Sequence, residues 1–172
     1  ATHTVDYAAS LAEHGGGQLT DQLDGTPTQN DRDLFRFRLV NPTATDLTVD
    51  QVVLALSAVA GIADTDLADL RIHNGAINVS TGGVASIAAG SGTISFTGDF
   101  NLPAGTTVDY TVIGDVANIV KNDTLTIALG TGSVSLAAGV LGGVAPTNPT
   151  HTGDDAATLG NHTSGQVGDQ FD

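Results

Sequence analysis

The 172-residue chain has no cysteine, no methionine and no tryptophan. Without cysteine there is no disulfide, no thiolate nucleophile, no Cys-ligated zinc and no thioether-linked haem. Without methionine, position 1 is not a translation start. Ala1 is the kind of small residue a signal peptidase leaves, so a secreted, mature chain at the cell surface or beyond it is the expectation. Basic residues are almost as scarce: five Lys and Arg stand against nineteen Asp and Glu, a net charge of −14. Such a surface repels nucleic acid and anionic membranes, so neither is expected as a partner. Apolar runs are short, Val52–Leu56 being typical, so no membrane insertion by a helix is expected.

The strong helix formers other than Ala are also thin. Glu13 is the one glutamate and Lys121 the one lysine, and Gln and Arg are few. Thr and Val abound, which suits strands, and Gly and Asp abound, which suits the turns between them. The chain is long enough for one ordinary domain with a sizeable core.

Residues 1–33 read as a distinct region: an extended N-terminal strand followed by a flexible linker. Val5, Tyr7, Ala9 and Leu11 alternate with polar neighbours, the period of a strand with one apolar face. Gly15-Gly16-Gly17 and a polar, Asp-bearing stretch follow. The body, residues 34–138, opens with LFRFRLV, in which Phe35, Phe37 and Leu39 face one way and Arg36 and Arg38 the other. Asn41-Pro42-Thr43 predicts a turn. The next strand starts with Leu47 and Val49 on one phase and continues with Val52, Leu54 and Leu56 on the other, as a β-bulge would produce. DTDLADL, with Asp64 as N-cap, is the one predicted helical turn. Short strands with turn signals then recur to Leu136. Seven or eight of them at such spacing predict an all-β fold, an antiparallel two-sheet sandwich of Ig-like or jelly-roll-like type. Residues 139–172 return to Gly, Thr and Asp and read as an irregular C-terminal segment.

The runs RFRLVNPTATDLTV, DLADLRIHNG, GTISFTGDFNLPAGTTVDYTVIGDV and NDTLTIAL occur in that order. This order resembles the β-sandwich modules of bacterial secreted and cell-surface proteins, in which "RFRLTN", "DLxxLRLY", "LPAG", "YxLxxDV" and "GDTLTxSL" segments recur. Such modules often carry a calcium-loop-like segment after "LRLY"; the matching place here reads HNGAINVS and has no Asp. The layout, a sandwich behind an extended N-terminal strand, is also similar to matrix-fibre and pilus subunits of the camelysin class. That resemblance implies a structural protein of a biofilm matrix or pilus-like fibre, assembled by donor-strand complementation.

Catalytic patterns are missing. His3, His14, His73, His151 and His162 are scattered without metal spacing, no GxSxG elbow occurs, and GSGTIS and GTGSVS lack the lysine of a phosphate loop. A non-enzyme is expected, with no cofactor unless calcium. Asp64, Asp66 and Asp69 form the candidate metal cluster, since Ca²⁺ needs several oxygens from one neighbourhood. The candidate polymerisation residues are Val5, Tyr7, Ala9 and Leu11, which could fill the groove of a sandwich lacking an edge strand. The leading expectation is a subunit of an extracellular filament, its partner another copy of itself, joined head-to-tail. The alternative is a monomeric cell-surface or adhesion module, Ca²⁺-stabilised, in which residues 1–12 pair with their own domain.

Overall fold

In the computed structural model of the chain, residues 6–155 are described. They fold as two packed β-sheets, the architecture that the strand spacing predicts. The first sheet runs in the order β12 (Leu141–Gly143), β1 (Ala9–Ala12), β2 (Thr28–Val40), β9 (Thr107–Ala117), β4 (Leu67–His73), β5 (Asn78–Thr81). The second runs β13 (Thr150–Thr152), β10 (Thr124–Ala128), β3 (Leu47–Ala60), β7 (Ser91–Phe96), β6 (Val84–Ala88). Two further short strands, β8 (Phe100–Leu102) and β11 (Val134–Leu136), also pair with β3. The pairings are antiparallel except β1 with β12, which is parallel.

The period-2 patterning explains the packing. β2 buries Phe35, Phe37 and Leu39, and β9 buries Tyr110, Val112 and Val116 opposite β3's Val52, Leu54 and Leu56. Each large apolar side chain taken from water contributes about 1.5–3 kcal/mol. Phe37 stacks on Tyr110 at 5.1 Å between ring centroids, and Phe100 tilts against the same ring at 5.3 Å. Burial pushes the Tyr110 hydroxyl up to about 12. On the outer face, Arg38 grips Asp109 through two hydrogen bonds of 2.7 and 2.9 Å, and Arg36 pairs with Asp33.

The slip in β3 is present: Val49 and Val52 are both buried, and the register against β11 shifts between Ser135 and Leu136. DTDLADL forms only a 3₁₀ turn, Asp64–Asp66, before entering β4. Asp66, not Asp64, closes it, its carboxylate accepting the Ala63 N–H at 2.8 Å.

Two segments are more deeply built in than their composition suggests. β2 begins at Thr28, inside the stretch read as linker, and Leu23 ahead of it is fully buried. Gln29 ties this stretch down: its side-chain amide donates to the Asp24 and Thr26 carbonyls, and its Oε1 accepts the Asp24 N–H. Past residue 138, β12 joins the first sheet and β13 the second, so the described C-terminal residues complete both. Three-residue strands between Pro and Gly leave no alternation to read.

Candidate functional site

The N-terminal strand occupies a slot between two strands of the body. Ser10, Leu11 and Ala12 lie opposite Val40, Leu39 and Arg38 of β2; Ala9, Ser10 and Leu11 lie beside Leu141, Gly142 and Gly143 of β12. Ala9 and Leu11, both 1% exposed, plug the core. β12 has no strand partner other than β1 among the described residues, so β1 holds the last strand of its sheet in place.

Of the four residues expected to fill a groove, the structure brings Ala9 and Leu11 together there. Val5 lies outside the described residues. Tyr7 departs from the pattern: it precedes β1, is 53% exposed, and its ring lies against Gly142. A Cβ at Gly142 would collide with that ring, so the glycine makes the seat. Val140 and Val144, two residues to either side of Gly142, are exposed as well. The edge beside β1 thus carries three exposed large apolar side chains.

The connection from β1 to the body is a tight turn. The Gly17 N–H donates to the His14 carbonyl at 2.9 Å, and Gly17 has φ of +69°, a conformation few other residues tolerate. The Gly16 N–H donates to His14 Nδ1 and the Gly15 N–H to Asp109. From Gln18 onward the chain is anchored: its side-chain oxygen accepts the Arg36 N–H at 2.9 Å and its amide donates to the Arg36 carbonyl. The sequence predicts a linker to residue 33; in the structure the connection between β1 and the anchored chain narrows to the turn at residues 14–17. Glu13, at the end of β1, accepts the N–H and hydroxyl of Thr147. Burial alone would raise its carboxyl, but these bonds and the Gln18 amide outweigh it and hold it below the usual range.

The three aspartates proposed as a metal cluster do not meet. Asp66 is buried, and each of its carboxylate oxygens accepts a hydrogen bond, one from the Ala63 N–H and one from the Asn118 amide at 2.6 Å. Asp64 is exposed and accepts the Thr65 N–H. Asp69 joins a different group, with Asp31 and Asp115. Bulges bring that group together: the registers of β2 and β4 against β9 slip at 29–32 and 68–71, and Asp31 and Asp69 take positive φ there. Linear spacing gives no sign of it. Arg71 already supplies a cation, pairing with Asp31 and, at 2.6 Å, with Asp69.

The described histidines serve the fold. His14 and His73 each accept a backbone N–H two residues on, from Gly16 and Gly75. His151 is fully buried, with Nε2 2.7 Å from the Leu34 carbonyl and Nδ1 3.2 Å from the Gln22 N–H. Burial lowers its pKa, against the raising effects of the Leu34 bond and Asp21. His3 and His162 lie outside the described residues.

No protein-family profile matches this chain, and no curated protein matches it. Among solved structures, it is similar to AvmM, which catalyses macrocyclization in alchivemycin A biosynthesis, at 12% identity and a TM-score of 0.46, over 90% of this chain and 94% of that one. It is similar to CaCohA2 from Clostridium acetobutylicum at 11% identity and a TM-score of 0.37, over 88% and 94%. It is similar to the seventh ScaB type I cohesin from Pseudobacteroides cellulosolvens at 10% identity and a TM-score of 0.35, over 91% and 99%.

Proposed function

We propose that this chain is a secreted, non-enzymatic β-sandwich subunit that assembles with copies of itself into an extracellular filament, each copy passing its N-terminal strand to the next. The observation that supports this reading is the β1 slot. Its two walls, β2 and β12, belong to the body, its occupant is four residues long, and the connection is a glycine turn. The contacts of Ala9 and Leu11 are the same whether β1 comes from the same copy or a neighbour, so exchange alters only residues 14–17. Donor and slot are different surfaces, so the contact is head-to-tail and propagates. The resemblance to secreted sandwich modules and matrix-fibre subunits points the same way.

A second reading, a monomeric surface module, is favoured by the pairing of β1 within its own chain. Deleting residues 1–13 separates the two. The filament reading expects a less stable monomer that forms no filaments by electron microscopy and takes up a synthetic peptide of residues 1–13. Filaments that persist after the deletion, or a full-length chain that stays monomeric at every concentration, would reject it.

A further inference from the structure

Charge is distributed unevenly along this acidic chain. Residues 72–98 and 124–153 contain no Asp, Glu, Lys or Arg. The fold sends these two runs to opposite flanks of the sandwich. The first makes β5, β6 and β7, and so both outer edges on one flank; the second makes β10, β11, β12 and β13, and so both outer edges on the other.

The flanks differ in relief. On the first, β6 pairs only with β7, and β5 only with β4, among the described residues. Gly82-Gly83 joins these two edge strands; Val84 of β6 (64% exposed) and Ile77, just ahead of β5 (63%), stand out from this flank. β6 has none of the usual protections of a free edge: it carries no charge and no proline, and its register with β7 has no bulge. On the opposite flank, β13 covers β10 but not β11, which among the described residues pairs only with β3. Between β11 and β12 lies a groove of about 320 Å³ bordered by Thr131, Val134, Ser135, Leu136, Val140 and Leu141, with no charged side chain in its lining. Val134 and Leu141 are buried and Val140 is exposed.

From this relief we infer that the two flanks are complementary faces of a second contact between copies, in which the β6 edge of one subunit, led by Val84, docks in the β11–β12 groove of the next. Charge selects the occupant. Two bodies of net charge −14 repel each other over most of their surfaces, whereas the β6 edge and the lining of the β11–β12 groove carry no charged side chain of their own. Shape sets the polarity, since a protruding edge on one side and a recess on the other join head-to-tail, not face-to-face. The open N–H and C=O groups of β6 and β11 offer the backbone pairing that strand addition uses. The edges are short, five and three residues, so a single contact is weak and gains effect from repetition along a fibre. The inference rests on the self-assembly reading for its occupant but not on exchange of β1.

Three full-length variants test it by sedimentation velocity, with circular dichroism to check folding. Val84→Glu places a carboxylate on the edge and Ser135→Glu places one in the groove; both positions are exposed, so folding is retained. Each alone should weaken association about 100-fold. Mixed one to one, with β1 of each locked in its own slot by the disulfide described below, they should form dimers and stop, because V84E keeps an intact groove and S135E an intact edge. Monomers only in that mixture, or wild-type assembly by either single variant, would overturn the inference. The third variant, Ser10→Cys with Val40→Cys, locks β1 in its own slot by a cross-strand disulfide. If locked wild-type flanks still associate and V84E abolishes it, the flank contact stands and β1 exchange is dispensable. If locking alone abolishes association, assembly belongs to β1 and the flank contact falls.

Discussion

The side-chain amide of Asn41 donates to the carbonyl of Leu102 at 3.0 Å, fastening the end of β2 in one sheet to the end of β8 in the other. The same amide reaches the carbonyls of Pro103 and Thr45, at 3.1 and 2.9 Å. Its oxygen accepts the N–H and the hydroxyl of Thr43, and the Gly105 N–H returns to the Thr43 carbonyl. One fully buried side chain therefore couples the NPT turn to the LPAG turn.

Asn41→Ala leaves several backbone groups without partners and should cost about 3 kcal/mol. Asn41→Asp, which aims a carboxylate at three carbonyl oxygens, should cost at least as much. Urea denaturation reads both, and a midpoint within error of wild type for either would dismiss the clasp.

Leu11 and Tyr7 separate plug from surface. Leu11→Ala opens a cavity where β1 meets the core and should cost about 2–4 kcal/mol, measured in monomer by denaturation. Tyr7→Ala removes a half-exposed ring and should cost under about 1 kcal/mol. Equal losses would mean that Tyr7 is part of the plug, as its place in the sequence alternation suggests.

That difference shows what the sequence carries and what it does not. Period-2 runs such as Phe35-Arg36-Phe37-Arg38-Leu39 are long enough to declare both strand and inner face, and the sandwich follows from them. The slip from Val49 to Val52 is equally legible. Tyr7 continues the alternation on paper, yet the strand begins only at Ala9, and Gly142, far away in sequence, provides the ring with its seat. Asp31, Asp69 and Asp115 come together only because bulges in β2 and β4 flank the same stretch of β9, which no local spacing encodes. Leu141–Gly143 and Thr150–Thr152 are too short to alternate, so their sequence carries no sign of the strands that close both sheets.

Arg71 is the counter-ion of that aspartate group. Arg71→Gln should lower stability by about 1 kcal/mol at low salt, because its partners are mostly exposed and water screens much of the repulsion left behind. Added Ca²⁺ should raise the melting temperature of the variant more than that of wild type, since Asp31 and Asp69 then lack their cation with Asp115 beside them. Equal responses of the two proteins to Ca²⁺ would show that the guanidinium is not what balances the group.

His151 makes the fold sensitive to mild acid, and its partners fix its tautomer. The Leu34 carbonyl can only accept, so Nε2 carries the proton; the Gln22 N–H can only donate, so Nδ1 is bare. A second proton would set an N–H against the Gln22 N–H inside the core. Burial is the main reason that the folded protein resists that proton, and Asp21, the nearby charge, only partly relieves it. The unfolded chain takes up the proton near the ordinary value of 6.5, and the folded chain only at lower pH. The unfolded state therefore binds more protons between those two values, and stability falls as pH drops through that window and levels off below it. His151 joins β13 to β2 and to the segment that follows the glycine turn, so the loss is felt where these three segments meet. Urea midpoints between pH 7.5 and 5.5 should fall in wild type. In His151→Gln, whose amide can still donate to Leu34 but does not titrate, the fall should shrink although the variant is less stable throughout. An unchanged slope in that variant would assign the acid sensitivity to the carboxylates instead.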